Sequence, residues 1–261
     1  MIEKTIHYFW IGEKPLGEKE KHCIATWHKF LPDYQIIEWN EKNYDFSYCQ
    51  YMIDAIKQKK YGFAIDVARL DIIYRYGGIY LDTDVEIIRP FDEAILNHPA
   101  ICCFEGKKMV NFGSILGAEK ANPVILKLLE QYKTRNFISK DGVLNLTTCP
   151  VYQSKDLNKF YGLRLNGKTQ RLKDITVFSS EFFDPKNVET EEIKITENTY
   201  SIHQFSGTWL TPIAKKRHET KKKLLLKHKI LGRFYATIYV FFSYLRHEGI
   251  KTVINKIKEK F

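Results

Sequence analysis

Residues 77–85 read Gly-Gly-Ile-Tyr-Leu-Asp-Thr-Asp-Val, an apolar strand pattern that ends in two carboxylates one residue apart, Asp82 and Asp84. At the exit of a strand the chain reaches the carboxyl edge of a sheet, where open α/β folds keep their ligand crevice. Two closely spaced carboxylates there suit a hard divalent cation that leaves positions open to phosphate oxygens. The other reading of so short a pattern is a solvated turn.

The segment before it decides between the two. Tyr61 to Tyr76 carries Ala64, Ile65, Val67, Ala68, Leu70, Ile72 and Ile73, so a helix here is apolar over much of its circumference and is expected to be buried. Gly77 supplies its stop. Asp66 and Arg69 are three apart and share a face. Charges in a buried helix demand partners: either they form a structural ion pair, or they line the same crevice as Asp82 and Asp84. Asp71 and Arg75 are further polar positions, expected to face solvent.

Phe63-Ala64-Ile65-Asp66-Val67-Ala68-Arg69, followed by Tyr76-Gly77-Gly78-Ile79-Tyr80-Leu81-Asp82-Thr83-Asp84, resembles the core signature of the DXD sugar transferases of glycosyltransferase family 32, relatives of the clostridial glucosylating toxins and of bacterial capsular polysaccharide glycosyltransferases. Three further blocks follow the same order. Ile6 to Gly12 resembles the family's first strand with its aromatic, Trp27 to Trp39 its helix-to-second-strand step, and His203-Gln204-Phe205-Ser206-Gly207-Thr208-Trp209 its closing motif. Thr208 stands where Ser is usual, Gln204 where a second His is common, and Thr148-Cys149-Pro150 where relatives often carry Thr-Gly-Pro.

The resemblance implies a GT-A fold, a nucleotide-diphosphate-sugar donor with uridine the favoured base, manganese or magnesium as the metal, and transfer with retention to a glycan or lipid-linked glycan. It implies that Trp10 stacks on the base, Asp66 and Arg69 hold donor-sugar hydroxyls, and Asp82 contacts ribose and sugar. Asp84 and His203 would bind the metal, with Thr208 at the diphosphate and Trp209 closing over the leaving group. The chemistry makes these residue types intelligible. A departing nucleoside diphosphate gains negative charge that a metal offsets, Arg69 presents a planar fork of donors, and an indole offers a flat face to a base. Taken singly, Trp10 and Trp209 are as readily core aromatics. Asn111, Gln153 and Glu105 are the candidates for a covalent nucleophile; none falls in a matching motif, which favours attack from the face the diphosphate leaves.

The elements that must position these residues follow from periodicity. Strands are expected at Thr5 to Ile11, Gln35 to Trp39, Ala100 to Phe104, Phe112 to Leu116, Ile175 to Phe178 and Thr199 to His203, with Val85 to Ile88 continuing the Asp-x-Asp strand. Helices are expected at Glu18 to Phe30, Tyr51 to Lys59, Tyr61 to Tyr76 and Pro123 to Tyr132, while 134–172 is weakly patterned. Alternating helices and strands favour an α/β fold with a mixed, mainly parallel sheet.

At 261 residues with 44% hydrophobic content the chain can bury one substantial core. Five cysteines without a CxxC fit a reduced cytosolic protein, and the first residues show no secretory pattern. The net charge of +10 is concentrated at one end: from Ala214 to Phe261 there are 14 Lys and Arg against 3 Asp and Glu, a net of +11. This places a boundary between a transferase domain, 1–213, and a basic, aromatic-rich helical tail, 214–261. The run from Phe234 to Leu245 is too short to span a bilayer, which takes about 20 residues. A tail of this kind suits the surface of an anionic membrane, on the cytoplasmic face; no nucleic-acid-binding motif accompanies the charge. The competing functions are a membrane adaptor without activity, and a phosphohydrolase using Asp82 and Asp84 as nucleophile and acid.

Overall fold

The computed structural model describes residues 1–207, 211–227 and 231–258, with backbone alone for 251 and 255–258. In chain order the elements are β1 (Thr5–Phe9), α1 (Glu18–Phe30), β2 (Gln35–Trp39), α2 (Gln50–Lys57), α3 (Tyr61–Tyr76), β3 (Gly78–Tyr80), β4 (Val85–Ile87), α4 (Glu93–Leu96), β5 (Ala100–Glu105), β6 (Met109–Ala118), α5 (Pro123–Gln131), α6 (Cys149–Tyr161), β7 (Gln170–Leu172), β8 (Ile175–Phe178), α7 (Ser180–Phe183), β9 (Ser201–His203), α8 (Pro212–Lys227) and α9 (Gly232–Lys258). They fall into two compact units: residues 1–186 with 193–206, and residues 187–192 with the chain from Gly207 onward.

The first unit is α/β. A seven-stranded sheet runs β2-β1-β3-β6-β5-β8-β7, and β4 pairs with β9 in a separate two-stranded sheet. The large sheet is evenly mixed rather than mainly parallel: β1–β2, β1–β3 and β5–β8 are parallel, and β3–β6, β5–β6 and β7–β8 antiparallel. Strand alternation divides the core into two layers. Ile79 and Leu81 join Trp27, Ile101 and Cys103 on one face, while Tyr80 joins Phe104, Phe112 and the apolar side chains of α3 and α5 on the other.

Local chemistry sets the element ends that matter for the site. Gly77 ends α3 with its N–H bonded to the Ile73 carbonyl, at φ 72°, a left-handed conformation that glycine adopts without strain. Gly78 follows at φ 86°, and a Cβ there would lie 2.7 Å from the Thr5 carbonyl oxygen. The Gly-Gly step therefore lets β3 enter the sheet directly beside β1. Asn122 caps α5, its side chain accepting from the Val124 and Ile125 amides, with Pro123 in the first turn.

Two expectations change. Val85–Ile87 does not continue the Asp-x-Asp strand: β3 ends at Tyr80, the chain turns through 81–84, and β4 belongs to the other sheet. Trp27 secures this step by donating from Nε1 to the Val85 carbonyl at 2.7 Å. Asp71 does not face solvent; it is buried and accepts from Tyr44 Oη at 2.9 Å and Arg75 Nη1 at 3.2 Å.

In the second unit α8 and α9 are linked by Arg217. Its Nε donates to Ser243 Oγ at 2.9 Å, its Nη2 to Glu248 Oε1 at 2.5 Å, and its guanidinium lies 3.7 Å from the Tyr244 ring centre. Gly249, at φ 82°, breaks the course of α9. Among the described residues no helix is long and apolar enough to cross a membrane.

Candidate active site

The fold brings two charge clusters to the turn after β3. In the first, α3 packs on the face of β3 that carries Tyr80, so the buried Arg69 lies over the Tyr80 ring, 4.8 Å from its centre. Arg69 Nη2 donates to Asp66 Oδ1 at 2.7 Å and stands 3.7 Å from Asp82 Oδ1. Tyr80 Oη donates to the same Asp82 oxygen at 2.8 Å. Asp66, Arg69 and Asp82 are thus one cluster assembled from two elements. Arg69 Nε is buried with no hydrogen-bond acceptor among the described residues, and an orphaned donor of this kind is costly unless a ligand accepts from it.

Burial pushes the Asp66 carboxyl up to about 6, against the opposing pull of Arg69 and a bond from Cys149. That cysteine, at the start of α6, lies within the site.

The second cluster forms because β4 pairs with β9, setting Val85 opposite His203. His203 Nε2 lies 3.1 Å from Asp84 Oδ1, and the Ser206 amide donates to Asp84 Oδ2 at 2.6 Å. Burial alone would raise the Asp84 carboxyl, but the imidazolium of His203 and these hydrogen bonds hold it down at about 2. Burial likewise opposes the charge on His203, and the Asp84 carboxylate overcomes it, raising the imidazole to about 9. The other ring nitrogen, Nδ1, lies 3.0 Å from Ser114 Oγ, which donates to Asp184 Oδ2 at 3.0 Å. Burial pushes Asp184 up to about 8.

Asp82, Asp84 and His203 each offer one ligand atom, all within 4.8 Å of one another. Two carboxylate oxygens and an imidazole nitrogen fit manganese or magnesium with positions left for phosphate oxygens. Gly113 of β6 makes room for this arrangement. Its carbonyl accepts from the Asp82 amide at 2.9 Å, and a Cβ on it would lie 2.2 Å from Asp82 Oδ2.

Trp10 follows β1, whose His7 pairs with Tyr80 of β3, so Trp10 and Asp82 leave the sheet at the same edge. Its indole donates to the Lys14 carbonyl at 2.7 Å, and no contact joins it to either cluster among the described residues. Thr208 and Trp209 lie outside the described residues. Of the nucleophile candidates, Asn111 donates to Glu105 Oε2 at 3.0 Å and accepts from the Gly113 amide at 2.8 Å, and Gln153 faces the Phe112 amide. Ser114, Asp184, Gly113, Tyr80 and the Ser206 amide are site groups that sequence reasoning did not single out. Ser206 and Tyr80 lie in quoted motifs; Ser114, Asp184 and Gly113 carry no local signal.

At the edge of a mixed α/β sheet, an Asp-Thr-Asp turn is faced by a buried Asp–Arg pair. Residues 17–101 match the family model described as "Glycosyltransferase sugar-binding region containing DXD motif". Among curated relatives, inositol phosphoceramide mannosyltransferase 3 of Schizosaccharomyces pombe is 32% identical over 136 residues, covering 49% of this chain and 36% of that protein. "Subversion of eukaryotic traffic protein A" of Legionella pneumophila is 24% identical over 171 residues, covering 54% of this chain and 26% of that protein. This chain therefore spans about a third or less of the length of these relatives. Among solved structures, the PaToxG glycosyltransferase aligns with a TM-score of 0.44 at 20% identity, over 60% of this chain and 69% of that one.

Proposed function

We propose that this chain is a metal-dependent, retaining glycosyltransferase. It moves a sugar from a nucleotide-diphosphate donor, with uridine the favoured base, to a glycan or lipid-linked glycan in the synthesis of surface polysaccharide. The observation that carries this reading is the convergence of Asp66 and Arg69 from one helix with Asp82 and the Asp84–His203 pair around one turn.

In this reading Asp82, Asp84 and His203 hold manganese or magnesium. When bound, the ion supplies Lewis-acid compensation for the charge that grows on the departing diphosphate. Ser114, backed by Asp184, fixes the ring plane of His203 so that Nε2 faces the two aspartates. Asp66 and the Arg69 fork hold donor hydroxyls, and Arg69 Nε, without an acceptor among the described residues, supplies a further donor toward the sugar. Trp10 stacks on the base, and Thr208 and Trp209 complete the diphosphate end. The acceptor attacks from the face the diphosphate leaves. The protein works at the cytoplasmic face of a membrane, with residues 214–261 on the anionic surface. The relative named a mannosyltransferase of inositol phosphoceramide lends support to a lipid-borne acceptor and puts guanosine-diphosphate mannose among the donors to test.

The test is release of nucleoside diphosphate from a panel of nucleotide sugars, with and without manganese, for wild type and Asp84→Ala. Manganese-dependent release from one donor, abolished in the variant, is the expected result. Absence of any manganese-dependent donor binding or release would overturn the assignment and favour the adaptor; manganese-dependent cleavage of simple phosphomonoesters instead would favour the phosphohydrolase.

A further inference from the structure

The 232–248 stretch of α9 has two unlike faces. Ala236, Ser243, Tyr244 and Glu248 are buried or half-buried, and three of them meet Arg217. Phe234, Ile238, Phe241, Phe242 and Leu245 recur at i, i+4, i+7, i+8 and i+11, one stripe of a helix, and all are exposed, Phe234 at 61% and Phe242 at 59%. The Arg217 contacts fix the rotation of α9, so this stripe is held outward rather than turned against α8. Large contiguous apolar patches on a surface mark a partner.

The charge around the stripe selects that partner. On α8, Lys216, Lys223 and Lys227 stand at i, i+7 and i+11, a single row of the helix, and Lys223 and Lys227 are exposed like Lys215 and Lys216 beside them. None of these four has an ion-pair partner among the described residues, whereas Lys221 and Lys222 are matched to Glu189 and Glu191. The 214–261 segment of a second copy would bring a net of +11 against the same charge, and like charges repel across an interface. An occupant must offer negative charge and a deep apolar layer together, as the interface of an anionic bilayer does. The helix from 232 to 248 is about 25 Å long at 1.5 Å per residue, shorter than the roughly 30 Å hydrocarbon core, and suits lying flat in the headgroup boundary.

We infer that the stripe Phe234, Ile238, Phe241, Phe242 and Leu245 inserts into the surface of an anionic bilayer while the lysine row of α8 engages its headgroups. The inference deepens the membrane attachment of the proposed function and rests on it. It divides the labour: the stripe provides depth, the lysines provide selection for anionic lipid.

The experiment is flotation of the full chain with phosphatidylcholine vesicles, with or without phosphatidylserine, for wild type, Phe241→Ser/Phe242→Ser/Leu245→Ser, and Lys216→Gln/Lys223→Gln/Lys227→Gln. All six substituted side chains are exposed, and circular dichroism checks the folding of each variant. Wild type is expected to float with phosphatidylserine vesicles. The serine variant is expected to partition about a hundredfold less on them, and the glutamine variant to lose a similar factor. Wild type floating while the serine variant floats equally well would overturn the stripe and leave membrane attachment standing. Failure of wild type to float at low salt would overturn both, and dimerisation lost in the serine variant would then assign the stripe to a second copy.

Discussion

Each unit of this protein buries one arginine among aromatic and acidic groups, and the two are finished differently. Arg217 commits Nε to Ser243 and Nη2 to Glu248, with its plane over Tyr244. Arg69 commits Nη2 to Asp66, approaches Asp82, lies over Tyr80, and keeps a buried Nε without an acceptor among the described residues. The first is a closed structural clasp. The second has donor capacity left over at a place where two carboxylates and a histidine also converge. The difference teaches that burial of a charge does not by itself mark a site; an uncompensated group beside other convergent groups does.

The comparison can be broken from either side. Asp84→Ala carries the largest expected effect, a fall of roughly a thousandfold in manganese-dependent turnover, with the folded state retained. Arg69→Lys removes the planar fork and is expected to cost about a hundredfold in turnover, whereas Arg217→Lys leaves soluble-donor turnover unchanged. Equal losses in the two lysine variants would erase the distinction drawn between them.

The histidine gives the next effect a sign. A metal needs neutral His203, which burial favours but the Asp84 carboxylate overrides, leaving the ring protonated up to about 9. Manganese affinity is therefore expected to rise by up to about tenfold per pH unit toward that value and to level off above it, and His203→Gln should flatten the slope. Calorimetric titrations at several pH values would measure it. In the metal-free protein the sign for stability is opposite. The charged His203 contributes fully below its ordinary 6.5, and that contribution is lost as pH rises through about 9. The Asp84 contribution is present above its ordinary 3.8 and is lost as pH falls through about 2.

Gly113→Ala is expected to have the smallest effect on turnover, about tenfold. The added Cβ meets the end of the Asp82 side chain, which can swing aside at little cost to stability but then leaves its place in the site. Thermal melting alongside kinetics would separate the two, and a large loss of stability with normal turnover per folded molecule would contradict the role given to this glycine.

The half of the site carried by local spacing was legible in the sequence. Asp66 and Arg69 are a helical i, i+3 pair, and Asp82 and Asp84 follow an apolar strand, so their proximity needs only secondary structure. Ser114, Asp184 and Gly113 join through pairings distant in sequence, and nothing near them announces it. Helix α6 stayed hidden for a different reason: its buried positions include Gln153, Ser154 and Asp156. Ser154 accepts from the Val110 amide at 2.8 Å, and Asp156 accepts from Arg135 at 2.6 Å. A helix that packs through hydrogen bonds lacks the apolar period by which a helix is recognised. The even mixture of the sheet follows from β6, a central ten-residue strand antiparallel to both neighbours, whose direction no local pattern records.

The most direct test of the central claim is calorimetric binding of a nucleoside diphosphate to wild type and Asp84→Ala, each with and without manganese. If Asp82, Asp84 and His203 hold a metal that in turn holds the diphosphate, wild type binds the nucleotide tightly only with manganese and Asp84→Ala loses that gain. Equal binding with and without manganese, or an unchanged manganese effect in the variant, would contradict it.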